Sequence, residues 1–473
     1  MWSRKILGVT LIKSISGIRG TIGGNVGESL TPVDVVKFTS AFGTWLKNRP
    51  FGNKIIVGRD ARTTGEVISN IVISTLQSLG LHVIDLGLST TPTVEIAVIK
   101  EKASGGIVIT ASHNPQNWNA LKLLDENGEF IDDEDGKEVL EIADKEDFKY
   151  VDYKNFGSIV KDNSYIQKHI DFILAHPLVD IEAIKARNFK IAVDAVNSTG
   201  GIAVPALLEA LGVELIHKIN CEPNGQFAHN PEPLPENLTQ ISNEIKNGRF
   251  DLGIVVDPDV DRLCFVCEDG SMFGEEYTLV AVADFVLKHK VGSTVSNLSS
   301  TRALRDITEK AGGAYFAAAV GEVNVVKAMK ANNAVIGGEG NGGIIVPDFH
   351  YGRDALIGVA LFLTHLAKYG KSISMLRKTY PSYQMSKNKV ELTPETDMDK
   401  VLGEVKNKYQ KQPLNEIDGL KIEFDAQWVH LRKSNTEPII RIYSESETLA
   451  TADYLANKII SDIKEIITPK ARD

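Results

Sequence analysis

The segment Gly106–Gln116 reads GIVITASHNPQ: an apolar run delivers Ser112, His113 and Asn114, and Pro115 then stops the chain. A hydroxyl, an imidazole and an amide leaving a strand together make a candidate reactive loop. An isolated serine at a strand end also caps turns, and that plainer reading stands beside the reactive one. Acyl transfer would require a G-x-S-x-G elbow, and glycine flanks Ser112 on neither side. A serine can instead accept and pass on a phosphoryl group, which splits one transfer into two. Such a group carries about −1.5 to −2 charge and needs cations near it.

A second loop could supply one. Asp257, Asp259 and Asp261 alternate in DPDVDR, with Arg262 beside them. A turn can aim three carboxylates at one ion, and hard oxygen ligands select Mg2+ or Ca2+. Glu268 falls at the twelfth position of a calcium-loop pattern. However, Arg262 takes the sixth position, where glycine belongs, and LCFV continues as a strand. Arg262 suits phosphate chemistry better, and Mg2+ prefers a few carboxylates plus a phosphate oxygen.

Two further loops bind rather than react. GGEGNGG places Glu339 and Asn341 among five glycines, a carboxylate and an amide suited to sugar hydroxyls, although a flexible turn reads the same way. RKSNTEPIIR brings Arg432, Ser434, Asn435, Thr436 and Arg441 into one stretch, a phosphate cradle with no base or nucleophile. Arg19, Lys122, Arg59 and Arg62 are remaining cations, for which solvation at the surface is the default. Cys264 and Cys267 have C-x-x-C spacing, but they lie in a strand-like run that sends residues three apart to opposite faces. No second ligand pair accompanies them, so they read as structural.

The elements that must position these loops repeat. Strand, polar loop, helix and second strand recur from Lys54, Lys190 and Ser293, each helix ending near a glycine: Gly80, Gly212, and Gly312 or Gly313. A further helix and a short apolar strand follow in each copy. The third strands lead into ASHNPQN, DPDVDR and GEGNGG, which makes the three oddest loops equivalent. Alternating helices and strands predict mixed, largely parallel sheets, whose ligands bind beyond the carboxyl ends of the strands. The order changes near Leu376 to a smaller α+β pattern. The expected organisation is three similar mixed-sheet α/β domains (1–155, 156–256 and 257–375) and a C-terminal α+β domain (376–473) around a central cleft.

A chain of 473 residues is too long for one core. Its net charge of −10 argues against a nucleic-acid binder. No apolar run is long enough for a bilayer, and Lys13 interrupts the N-terminal apolar stretch too early for a signal peptide. Three cysteines give no disulfide framework and fit the cytoplasm.

With TASHNP, DPDVDR, GEGNGG and RKSNTEPIIR in this order, the whole chain resembles the α-D-phosphohexomutases, the family of phosphoglucomutase/phosphomannomutase and phosphoglucosamine mutase. The resemblance implies four domains and a phosphorylated Ser112 that donates to a hexose monophosphate, giving a sugar 1,6-bisphosphate that turns over and returns the other phosphate. It implies one Mg2+ on Asp257, Asp259 and Asp261 with the Ser112 phosphate, and assistance from Arg19 and Arg262. It gives Lys122 and His113 proton-transfer or charge-stabilising roles. It assigns Glu339 to the sugar hydroxyls, and Arg432, Ser434, Asn435, Thr436 and Arg441 to the non-reacting phosphate.

Departures in three motifs bear on the reading. NALK puts Ala120 at the family's usual glycine, Asn341 stands where serine is common and Gly343 where histidine often follows, and VGE places Glu322 where relatives have His or Asp. A carboxylate there favours a cationic 2-amino group. Phosphoglucosamine mutase is therefore the preferred reading, with glucose or mannose phosphates as the close alternative. A metal-dependent sugar phosphatase is a rival of another class. The implied partners are a hexose or hexosamine phosphate and nothing larger (no nucleic acid, no membrane), in a monomer or homodimer.

Overall fold

The computed structural model describes residues 9–14, 17–392, 396–433 and 439–467. Residues 1–278 with 341–377 form one compact unit, and residues 279–340 with 378–473 form a second.

The predicted repeat is present three times. In the first copy the strand Lys54–Arg59 lies between His82–Leu88 and Gly105–Ile109, parallel to both. In the second, Lys190–Asp194 lies between Leu215–Ile219 and Leu252–Val256 in the same way. In the third, Ser293–Asn297 is parallel to Tyr315–Ala318 and Ala334–Glu339. Sequence chemistry dictates the shared helix ends. Gly80, Gly212 and Gly312 adopt φ of +84°, +82° and +83°, where a side chain is strained. Each then makes the same pair of closing bonds: Gly80 N–H to Gln77 O and Leu81 N–H to Leu76 O, with Gly212/Val213 and Gly312/Gly313 repeating them.

The central strands of the first sheet are buried on both faces, as parallel strands between helices must be. Ile55 and Val57 join one apolar cluster while Ile56 between them joins another. Ile107 and Ile109 likewise split from Val108. Each such side chain, fully buried, contributes about 1.5–3 kcal/mol. Antiparallel strands extend the first two sheets: Trp118–Leu124 beside Gly105–Ile109, and Leu263–Cys267 beside Leu252–Val256. The loop of Asp257–Arg262 thus joins two strands of the second sheet. The third domain, expected to begin at 257, would start inside that hairpin.

The C-terminal portion is an antiparallel sheet in the order Gln384–Glu391, Ile439–Ser446, Trp428–Lys433, Leu420–Glu423, Leu414–Asn415. KIEFDAQWVHLR is divided between two of these strands. Val429, Leu431, Ile440 and Ile442 pack against Val401, Val405, Leu455 and Ile459 of the helices Met398–Lys408 and Leu449–Ile467. No helix among the described residues is long and apolar enough to cross a membrane.

Candidate active site

Ser112 and the aspartates leave equivalent strand ends, three residues beyond Gly105–Ile109 and immediately after Leu252–Val256. Both loops carry left-handed residues: Ser112 at φ +47° and Val260 at +63°. For residues with a Cβ this costs about 1–2 kcal/mol each, so the surroundings must impose it.

The two loops meet. Ser112 Oγ donates to Asp257 Oδ2 at 2.7 Å, across 145 residues of chain. Asp257, Asp259 and Asp261 are fully buried and offer one oxygen each within 4.8 Å of one another. Asp257 Oδ1 accepts from the N–H groups of Asp261 and Arg262, which fixes its plane. Thr91 Oγ1 and Lys122 Nζ donate to Asp259 Oδ2 at 2.6 and 2.8 Å. Arg353 Nη2 donates to Asp261 Oδ2 at 2.6 Å.

The electrostatics follow from this crowding. Burial, with Asp259 and Asp261 as like-charged neighbours, drives the Asp257 carboxyl well above its ordinary range. Burial pushes Asp259 the same way, but Lys122 outweighs it and holds Asp259 ionised. Lys122 stays cationic although desolvation opposes it, because Asp259 and Asp261 face its ammonium. His113 lies with Nδ1 3.4 Å from Ser112 Oγ. Desolvation first, then Arg262, Arg353 and Lys122, hold its imidazole neutral, well below the ordinary histidine range.

These residues fit a divalent cation. Asp259 Oδ1 and Asp261 Oδ1 are buried and accept no hydrogen bond. Buried carboxylate oxygens require such a partner, and an all-oxygen donor set matches Mg2+. The charges also close. Three carboxylates face Lys122, Arg262 and Arg353; a divalent ion and a seryl phosphate of about −1.5 to −2 would add nearly equal and opposite charge.

Arg19 sits on the strand Gly17–Thr21 opposite Ala120, on the sheet face that carries Lys122, and burial lowers its pKa. Ala120, at the family's glycine position, fits a regular buried strand. Arg262 Nη1 pairs with Glu232 at 3.2 Å.

Arg62 is not at the surface: its side chain is fully buried. Its Nη atoms donate to the carbonyls of Ser112, Asn114, Pro115 and Trp118 at 2.5–2.9 Å, and its Nε to Asp60 at 3.1 Å. All five guanidinium N–H groups are thereby used, three of them on the Ser112 loop and one on the first residue of the strand that follows it. Sequence reading also missed Thr91 and Arg353. Thr91 follows a Ser-Thr helix cap, the one local signal, and Arg353 precedes Asp354, which caps the helix Ala355–Tyr369.

The second unit holds the remaining candidates except Asn341. Glu339 ends its strand with Oε1 accepting from Asn297 Nδ2 at 2.8 Å and from Gly321 N–H at 3.0 Å. Glu322, buried, begins the next helix after Gly321. Arg432 stands directly opposite Arg441 in the ladder. Like charges so placed repel, and an anion between them removes the penalty. Ser434, Asn435 and Thr436 lie outside the described residues. Asn341 belongs to the first unit, where its Oδ1 accepts from Gly343 N–H. Cys264 and Cys267 are buried, and among the described residues the aspartate trio alone makes a metal-binding group.

Four family models described as phosphoglucomutase/phosphomannomutase α/β/α domains I, II and III and C-terminal domain match residues 11–150, 167–270, 274–383 and 389–461. A Thermococcus kodakarensis phosphoglucomutase/phosphomannomutase is 38% identical over 91% of this chain and 94% of its own. A Sulfurisphaera tokodaii phosphoglucosamine/phosphogalactosamine mutase is 33% identical over 96% and 98%. Among solved structures, a Burkholderia thailandensis phosphoglucomutase/phosphomannomutase family protein shares the fold at a TM-score of 0.83 and 24% identity, covering 98% of each chain. An Aspergillus fumigatus N-acetylphosphoglucosamine mutase, in complex with GlcNAc-6P and magnesium, shares it at 0.59 and 14%, covering 98% and 97%. With all four domains matched over nearly its whole length, this chain belongs to the phosphoglucomutase/phosphomannomutase family and is an isomerase of the phosphohexomutase type.

Proposed function

We propose that the chain is a phosphoglucosamine mutase, interconverting glucosamine 6-phosphate and 1-phosphate through phosphorylated Ser112 and a bound sugar 1,6-bisphosphate. The observation that carries the phosphoryl-transfer part of this reading is the 2.7 Å contact of Ser112 Oγ with a buried carboxylate trio that has open oxygens. In the first half-reaction the P–O bond to Ser112 breaks as a bond forms to the sugar's free hydroxyl oxygen. The hydroxyl's proton leaves to a base and Ser112 Oγ regains one. Neutral His113, 3.4 Å from Oγ, can accept the hydroxyl's proton and, once protonated, return it to Oγ. The bisphosphate then turns over, and the same chemistry in reverse returns its other phosphoryl group to Ser112.

Asp257, Asp259 and Asp261 would hold one Mg2+, which when bound supplies positive charge to the transferring phosphoryl oxygens. Lys122, Arg262 and Arg19 add fixed cations around the same oxygens. Glu339 engages sugar hydroxyls, with Asn341 beside it in sequence. Arg432, Ser434, Asn435, Thr436 and Arg441 grip the phosphate that is not reacting. Glu322 favours a 2-ammonium group over a 2-hydroxyl. Three free cysteines support the reading of a reducing compartment such as the cytoplasm.

A glucose or mannose phosphate reading is favoured by one observation, the 38% identity to the Thermococcus phosphoglucomutase/phosphomannomutase. Side-by-side assay of glucosamine, glucose and mannose 6-phosphates with Mg2+ and catalytic bisphosphate tests both. Glucosamine should give the highest kcat/KM. Stoichiometric inorganic phosphate without isomer would replace the mutase with a phosphatase.

A further inference from the structure

Within the second unit, one carboxylate that no sequence motif marks connects two binding elements. Asp418 lies between the strands Leu414–Asn415 and Leu420–Glu423, with its side chain 22% exposed. Its Oδ2 accepts from Val320 N–H at 3.0 Å. The same oxygen stands 2.8 Å from Arg432 Nε. That contact is an ion pair and not an aligned hydrogen bond, since Nε lacks a hydrogen-bond partner. The carbonyl of Asp418 accepts from His430 Nε2 at 2.6 Å, and Ser299 Oγ meets Nδ1 of the same ring at 2.9 Å. The Asp418 backbone is therefore held independently of its carboxylate.

Val320 is the first residue of the turn that delivers Glu322. Gly321, at φ +116°, donates to Glu339 Oε1, and Asn324 Nδ2 closes the turn on Val320 O at 3.0 Å. Both N–H groups of this turn are thus spoken for, one by the sugar-loop glutamate and one by Asp418. On its other side Asp418 sets Arg432, which stands opposite Arg441 and needs a counter-charge to hold its plane when no phosphate is bound.

We propose that Asp418 is a positioning and specificity-determining residue that serves two binding elements with one carboxylate, setting Arg432 for the phosphate and holding the Val320–Gly321 turn for the sugar. The proposal rests on the mutase reading above. Asp418→Asn keeps an acceptor for Val320 N–H and removes the charge that sets Arg432. Asp418→Ala removes both.

The test is steady-state kinetics of the full chain on glucosamine 6-phosphate and glucose 6-phosphate, for wild type, both variants, Arg432→Ala and the double variants. Asp418→Asn should raise KM about tenfold for both sugars with kcat within about twofold and their preference ratio unchanged. Asp418→Ala should raise KM similarly and also move the ratio of kcat/KM values toward one. In an Arg432→Ala background the KM effect should vanish while the loss of preference persists. Additive KM effects, or an unmoved preference in Asp418→Ala, overturn the proposal. If Asp418→Ala does not fold, Asp418→Asn in the two backgrounds decides through KM alone. Absence of turnover in wild type would instead refute the mutase reading.

Discussion

At the residue scale the reactive hydroxyl and its partners are few, and each has a separable consequence. Ser112→Ala removes the oxygen that would carry the phosphoryl group while leaving the aspartates in place. Isomerisation should fall to background, and calorimetry should still detect sugar phosphate binding; full turnover would reject the covalent route. Arg441 is exposed in the antiparallel sheet of the second unit, directly opposite Arg432, and its proposed role is in binding. Arg441→Ala should raise KM about tenfold with kcat nearly constant, the signature of an interaction shared by ground and transition states. An unchanged KM would remove Arg441 from the cradle.

At the element scale, the loops matter through what holds them. The repeat was legible because its punctuation is chemical: Gly80, Gly212 and Gly312 each stand where only glycine is comfortable, and strand runs such as Ile55–Val57 are apolar on both faces. Ser112 and the alternating aspartates were legible for the same reason, as residue types that a strand end does not need. Arg62 was not legible, because burial of a cation depends on carbonyls that arrive from 50 to 56 residues away. Arg353 and Asp418 were hidden likewise, their partners being 92 and 98 residues distant. The Ser112 loop holds its left-handed residue against a cost, and Arg62 is the clamp. Arg62→Lys offers three donors in place of a planar five. It should lower kcat by at least about tenfold, since small misplacements of a reacting group are costly, with KM within about threefold. Added guanidinium should partly restore kcat to Arg62→Ala. A kcat equal to wild type in Arg62→Lys would mean that the loop holds itself.

At the scale of the whole molecule, histidines that the fold keeps neutral reduce stability on the acid side. His430, 2% exposed, donates from Nε2 to a carbonyl, and desolvation lowers its pKa to about 4. His113 is depressed as well, whereas bonding to Asp194 raises His229 despite desolvation. The signs follow directly. A histidine with a lowered folded pKa binds its proton more readily in the unfolded chain. The stability associated with His430 is therefore complete above the unfolded value of about 6.5 and is lost as pH falls toward 4. His229 works in the opposite sense, adding stability at low pH that disappears as pH rises through its folded value. The net charge of −10 at pH 7 also opposes the loss, because acidification relieves repulsion. Comparison with a variant isolates the histidine. In His430→Gln the neutral amide can still meet the Asp418 carbonyl and Ser299, and it has no proton to refuse. Thermal midpoints of the metal-free protein from pH 7.5 to 4.5 should fall more steeply for wild type than for His430→Gln. The difference in slope should approach one proton, about 1.4 kcal/mol per pH unit. Parallel curves would show that His430 takes up its proton without cost in the folded chain, and acid sensitivity would then have to come from His113 and the carboxylates.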